Sequence, residues 1–306
     1  AAQMSEAETT RENRRYLPGL RLPDSLRFSS DLHATIAALP KDAPSMIVAV
    51  VPTHTMRQVF SEIAAEIPAQ AIIVTASKGI ENDSLLTMDH VLSQVLPSQL
   101  HERIAVLSGP SFAKETIEKY PTAVVAAAKQ RPIAEAVQRA FQVGYFRVYT
   151  SDDVIGAEIG GAVKNVIAIA CGMADGLGFG HNTRAAAITR GLAEITRLGV
   201  RLGCNPLTLA GLAGMGDLVL TCNGPQSRNR QAGLLFAQGK SLPQVQAEMK
   251  QVAEGIRTVR SVHDLATKVS VEMPISAAMY RVLYENQPVG QVMSDLLGRP
   301  PRHELG

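Results

Sequence analysis

Short apolar, β-branched runs recur through the first half of the chain, at 46–51, 71–76, 104–108, 122–126 and 146–149. They are continuous rather than alternating, which suits strands covered on both faces. Stretches with helical spacing, 55–67, 85–96 and 132–143, separate some of them. Strands alternating with helices predict an α/β fold built on a doubly wound parallel sheet. After Ser151 the strand pattern stops, and helical segments follow one another, punctuated by Gly, Pro and Asn. Asp152 or Asp153 is placed to cap the first of these helices. Pro206, Pro243, Pro274 and Pro288 each stand where a helix can begin. The pattern therefore predicts a sheet domain over 1–151 and an all-helical domain over 152–306.

Length and composition narrow the class. The 306 residues are 46% hydrophobic and 19% charged, which is ordinary globular material with room for one large or two medium domains. A net charge of +2 gives no electrostatic case for nucleic acid or an acidic membrane. No run reaches the ~18 consecutive apolar residues of a membrane span; the nearest, 154–173, is interrupted by Glu158 and Lys164. Residues 1–15 are polar with both charge signs, unlike a signal or transit peptide. Cys171, Cys204 and Cys222 are scattered, without CxxC or Cys/His spacing, so reduced thiols, a cytoplasmic protein and no metal are expected.

The dinucleotide fingerprint G-x-G-x-x-G is absent from the sequence. Gly176, Gly178, Gly180 and Gly211, Gly214, Gly216 lack its spacing and read as loop and helix-end glycines. Lys164 is a different matter. A helix apolar nearly all round is buried, and a buried ammonium must find a partner or a cleft; a lysine snorkelling to the surface fits the pattern equally well. Gly160 and Gly161 leave the backbone bare beside it, open to another element or a ligand. Ser77-Lys78-Gly79 follows the run 71–76, and the carboxyl ends of parallel strands face the ligand crevice. Lys78 can meet an anion or a polarised carbonyl there, or be a solvated loop lysine.

Ser108-Gly109-Pro110-Ser111-Phe112-Ala113 also follows a strand and opens a helix, where free amides favour an anion or Ser111 simply caps. Asp217 and Thr221 follow Gly214-Met215-Gly216, and Ser227-Arg228-Asn229-Arg230 adds donors suited to phosphate, although such a cluster is also a common surface patch. Two lysines, an aspartate and an Arg–Asn pair would together suit a small phosphorylated carbonyl compound.

In order and spacing, Ser77-Lys78-Gly79, 109–115, 160–168, 211–222, Ser227-Arg228-Asn229-Arg230 and Glu254-Gly255 resemble bacterial NAD(P)-dependent glycerol-3-phosphate dehydrogenases. Arg14-Arg15-Tyr16-Leu17-Pro18-Gly19 looks like that family's segment after its second strand, so the resemblance runs from Glu12 to Gly298. It implies a Rossmann-type sheet domain, an all-α second domain, and NAD(P)H as cofactor. The implied reaction interconverts dihydroxyacetone phosphate and sn-glycerol 3-phosphate for glycerophospholipid synthesis.

Carried over residue by residue, the resemblance implies Lys164 as proton donor and acceptor at the substrate oxygen. Lys78 would lie beside it, touching substrate and cofactor. Asp217 would orient Lys164 and bond a substrate hydroxyl, with Asn165 and Thr221 as supporting polar groups. Gly109, Ser111, Ser227, Arg228 and Asn229 would contact substrate, the last two at its phosphate. Ala113, Arg228, Val252 and Glu254 would contact the cofactor. A homodimer is a compatible assembly.

Family members open with a strand, the glycine-rich turn, a helix and a second strand, and this sequence begins just after that unit of roughly 30 residues. An open apolar sheet edge and weak or absent turnover are the expectation for such a chain. Two other readings compete. Dehydrogenases of 3-hydroxy acids share the architecture but favour an asparagine four residues after the lysine; here Asn165 follows Lys164 at once and Ala168 takes the fourth place. A cofactor-free helical module that binds phosphorylated metabolites or oligomerises suits the missing glycine turn, whereas paired Lys78 and Lys164 speak against it.

Overall fold

A computed structural model describes residues 2–249, 253–301, 303 and 304. A helix, Ala2–Thr10, leads into a small antiparallel hairpin of β1 (Glu12–Asn13) and β2 (Leu17–Arg21). The main sheet has five strands: β3 (Met46–Ala49), β4 (Ile72–Thr75), β5 (Ile104–Ser108), β6 (Thr122–Ala128) and β7 (Phe146–Ser151), in that spatial order. Each of the five apolar runs became a strand.

The sheet is parallel-dominated, as expected, with one pair of strands reversed. β3–β4, β4–β5 and β6–β7 are parallel, but β5–β6 is antiparallel. A parallel neighbour needs a crossover long enough to return to the same end of the sheet. Between β5 and β6 stands only the five-residue helix Ala113–Ile117, so the chain comes back the other way.

Both faces of the sheet are covered. Ile73 packs with Met56, Phe60 and Ile63 of helix Thr53–Ile63 and with Val91 and Leu92 of helix Met88–Val95. Val74, Ala105 and Val124 pack on the opposite side with Ala134 and Val137 of helix Arg131–Phe141. Every residue of β4 is consequently buried. β3 forms one edge of the sheet, where Val48 is 41% and Val50 71% exposed.

The second half is organised by one core helix, Val154–Gly176. Asp153, rather than Asp152, caps it: Gly156 N–H donates to Asp153 Oδ1 at 2.8 Å. By length and apolarity this helix could cross a membrane, but it lies inside the protein, wrapped by helices His181–Arg201, Asp217–Asn223, Arg228–Ala237 and Glu254–Lys268. Glu158 interrupts its apolar surface for a structural reason. Its Oε1 accepts from Asp89 N–H at 3.0 Å, tying the core helix to helix Met88–Val95. Burial, reinforced by the Asp89 charge, pushes the Glu158 carboxyl well above the usual range. Among the prolines, Pro206 and Pro274 open their helices, Pro243 stands second, and Pro288 precedes helix Val289–Leu297.

Candidate active site

The carboxyl ends of β3, β4 and β5 face the core helix across a cleft of about 850 Å³. On the sheet side its lining includes Thr53, His54, Ser77, Lys78, Ser111, Phe112 and Ala113; on the helical side, Lys164, Asn165, Thr221, Ser227, Arg228, Asn229, Glu254 and Arg257. Segments separated in sequence by more than a hundred residues therefore meet at one cavity, as expected at the strand ends of an open α/β sheet.

At its floor two ammonium groups share one carboxylate. Lys164 Nζ donates to Asp217 Oδ1 at 2.5 Å and to Thr221 Oγ1 at 2.9 Å. Lys78 Nζ donates to Asp217 Oδ2 at 2.5 Å and to the Gly109 carbonyl at 3.1 Å. Lys164 does not snorkel: it is 6% exposed, and Asp217 beneath it 1%. Asp217 and Thr221 lie one turn apart on helix Asp217–Asn223, so both face Lys164. The Thr221 hydroxyl donates to the Asp217 carbonyl at 2.6 Å, which aims its oxygen at the lysine.

The electrostatics follow from burial and these contacts. Burial pushes the Lys164 ammonium down to about 8; the Lys78 charge pushes the same way, while Asp217 opposes both. Burial alone would raise Asp217, but the charges of Lys78 and Lys164 and their hydrogen bonds win and hold it below the usual carboxylate range. Burial raises Glu254, against the pull of Arg228, Lys164 and Lys78.

Glycines make room for this floor. A Cβ on Gly161 would press on Ser108 Oγ and the Lys78 stem, and one on Gly160 would strike the Ala213 carbonyl. The bare backbone before Lys164 is thus filled by other elements of the protein, not left for a ligand. Gly109 adopts φ +140°, with its backbone against Val124, which turns its carbonyl toward Lys78.

A second chain of contacts orders the phosphate-suited segment. Ser227 caps helix Arg228–Ala237 by accepting from Arg230 N–H. Asn229 Nδ2 donates to Asn165 Oδ1 at 2.8 Å, and Gly255 N–H donates to Asn229 Oδ1 at 3.0 Å. Asn229 is thereby locked between the core helix and helix Glu254–Lys268. Arg230 turns away and, with Arg184, pairs with half-buried Asp175, so Arg228 is the arginine of this segment that lines the cleft.

Most of the residues named from sequence meet at the cleft, with two corrections and one gap. Ser111 does not cap the following helix, whose N-cap is Phe112; its hydroxyl donates to the Gly109 carbonyl at 3.2 Å. Asp217 is closed over by the two lysines instead of opening onto the cleft. Val252 lies outside the described residues. Sequence reading missed Thr53, His54 and Arg257. The first two follow β3 as Ser77-Lys78 follows β4, so the same strand-end rule would have found them, and Arg257 stands one turn after Glu254.

Known proteins match this chain over most of its length. Residues 153–294 fit the profile described as NAD-dependent glycerol-3-phosphate dehydrogenase C-terminus, and residues 1–134 that of its N-terminus. A glycerol-3-phosphate dehydrogenase [NAD(P)+] of Geobacter sp. is 50% identical over 96% of this chain and 86% of its own. The enzyme of that name from Myxococcus xanthus is 50% identical over 97% and 87%. The crystal structure of glycerol-3-phosphate dehydrogenase from Coxiella burnetii superposes with a TM-score of 0.90 at 37% identity, covering 97% of this chain and 89% of that one. Neither the 3-hydroxy-acid reading nor the cofactor-free module is favoured by these matches. The chain belongs to the NAD-dependent glycerol-3-phosphate dehydrogenase family.

Proposed function

We propose that this protein interconverts dihydroxyacetone phosphate and sn-glycerol 3-phosphate with NAD(P)H, in the cytoplasm, at the head of glycerophospholipid synthesis. The observation that carries the reading is the pair of lysines bridged by Asp217 at the cleft floor, both at 2.5 Å. The cleft suits anionic ligands: among the described residues, Arg15, Lys78, Lys114, Lys164, Arg228 and Arg257 line it against Glu254 alone of the carboxylates. A phosphorylated three-carbon substrate and a dinucleotide together bring several negative charges, which such a lining balances.

Arg228, Asn229 and Ser227 hold the substrate phosphate, with Asn229 kept in register by Asn165 and Gly255. Arg228, Glu254, Ala113 and Lys78 border the cofactor. The nicotinamide, when bound, supplies or accepts the hydride at the substrate's central carbon. Lys164 handles the proton. In reduction its ammonium gives a proton to the carbonyl oxygen as negative charge develops there, and Lys78 stabilises that charge from the side. In oxidation the neutral amine takes the hydroxyl proton back. Thr221 and Asp217 fix the nitrogen throughout.

The sign of the pH dependence follows. Reduction needs the Lys164 ammonium, so its kcat/KM falls as pH rises through about 8; oxidation needs the free amine and falls as pH drops through the same value. Because the Lys78 charge lowers Lys164, Lys78→Met moves both limbs to higher pH, even as it slows the reaction. Steady-state rates with dihydroxyacetone phosphate and NADH or NADPH, and in reverse with glycerol 3-phosphate, test this. Limbs of the opposite sign, in whatever turnover is measured, would overturn the assignment.

A further inference from the structure

Between β5 and helix Ala113–Ile117, the segment Gly109-Pro110-Ser111-Phe112 leaves the sheet and lands on the helical half. The Phe112 ring covers Gly224, where a Cβ would overlap its Cε2 and Cζ atoms, and Pro110 rests on Gly216. Just beyond, Gln226 Nε2 donates to Glu115 Oε1 at 2.9 Å. Resting on the functional reading above, we infer that Phe112 is a positioning residue that sets the length of the substrate. Seated on Gly224, it fixes the gap between Ser111 and the residues that hold the phosphate, so that a three-carbon chain spans it.

Three observations support this. First, Gly224 has φ −66° and ψ 132°, which any residue adopts. Its backbone therefore does not call for glycine. The ring above it does, together with the Leu220 carbonyl, 2.9 Å from a notional Cβ. Second, the socket is built into the turn that presents the phosphate contacts. Gly224 ends helix Asp217–Asn223, and its carbonyl accepts from Ser227 N–H at 3.1 Å. Ser227 in turn caps helix Arg228–Ala237. A ring resting on Gly224 is thus held in register with Ser227, Arg228 and Asn229 at once.

Third, what the ring steadies lies toward the lysine floor. Ser111 lines the cleft, and its hydroxyl and Lys78 Nζ both donate to the Gly109 carbonyl, at 3.2 and 3.1 Å. Helix Ala113–Ile117 has five residues and buries none of its own side chains, so it is too short to hold this strap by itself. Donors placed at both ends of a small ligand contribute fully only when the spacing between them is kept. The contact of Phe112 with Gly224 keeps it.

The test is calorimetric titration of wild type, Phe112→Ala, Phe112→Leu and Gly224→Ala with glycerol 3-phosphate, erythritol 4-phosphate and inorganic phosphate. Phe112 is half-buried, so truncating it leaves the cores of both halves intact. Phe112→Ala is expected to weaken glycerol 3-phosphate about tenfold, the scale of one misplaced hydrogen bond. Inorganic phosphate, which meets only the helical side, should bind as before, and the preference over erythritol 4-phosphate should shrink. Phe112→Leu, which refills part of the socket, recovers part of the loss. Gly224→Ala ejects the ring and should give the same pattern. The double variant Phe112→Ala/Gly224→Ala should then lose no more than either single change, because both break one contact. Unchanged glycerol 3-phosphate affinity in Phe112→Ala, an equal loss of inorganic phosphate, or additive losses in the double variant would overturn the role of Phe112. Wild-type protein that binds glycerol 3-phosphate no more tightly than inorganic phosphate would instead overturn the functional reading beneath it.

Discussion

Lys164→Met is expected to lower turnover by about 10²–10⁴-fold in both directions, the range typical of removing a positioned general acid–base group. Methionine fills much the same volume as the lysine stem, so the change is chemical more than steric. Two opposing effects bear on stability. Losing Lys164 exposes one oxygen of buried Asp217 and the Thr221 hydroxyl to an apolar neighbour, which is unfavourable. It also removes an ammonium whose burial was itself costly, as its lowered pKa records. Asp217 keeps Lys78 as a partner, so folding should change far less than rate.

Lys164→Arg should not restore activity, because a guanidinium never gives up its proton at working pH. That variant separates proton transfer from simple positive charge. Glycerol 3-phosphate should still bind to both variants through Arg228 and Asn229. Melting curves, substrate titration and rates on the same preparations check all three statements. A Lys164→Met protein within tenfold of wild-type rate would mean that the proton travels by another group.

Much of this could be read from sequence, for identifiable reasons. β3 to β7 were visible because strands covered on both faces are continuous apolar runs. Lys164 stood out because a charge in an otherwise apolar helix demands a partner. What could not be read was which partner. Asp217 is 53 residues from Lys164 and 139 from Lys78, and only the fold makes one carboxylate serve both. The reversal at β6 was hidden because an apolar run carries no direction; the shortness of helix Ala113–Ile117 was the available clue. Likewise Gly160 and Gly161 looked open to a ligand, while the protein itself fills that space with Ala213, Ser108 and Lys78.

Gly172→Ala should destabilise the protein by about 3 kcal/mol or more, the upper range for overpacking a close-packed interior. The reason lies in how helix Arg228–Ala237 reaches the cleft. It crosses the core helix with glycine against glycine: a Cβ on Gly172 would overlap the Arg230 carbonyl, and one on Gly233 the Ile169 carbonyl. Gly176 meets Ala237 one turn further along. The obstacle in the first two cases is backbone, which no rotamer change can move aside, so the helices must separate.

By propensity alone, glycine to alanine inside a helix gains about 1 kcal/mol. Gly290, exposed in helix Val289–Leu297 with nothing near its notional Cβ, serves as the control: Gly290→Ala should be neutral or slightly stabilising. The same chemical change thus takes opposite signs according to the space available. Separation at Gly172 would also carry Arg228 and Asn229 away from the lysines, so the KM for dihydroxyacetone phosphate should rise in whatever fraction still folds. Thermal or urea unfolding of the two variants beside wild type decides the matter. Equal stability of Gly172→Ala and Gly290→Ala would show that the crossing can loosen freely, and that something other than this glycine contact sets the distance between Arg228 and Lys164.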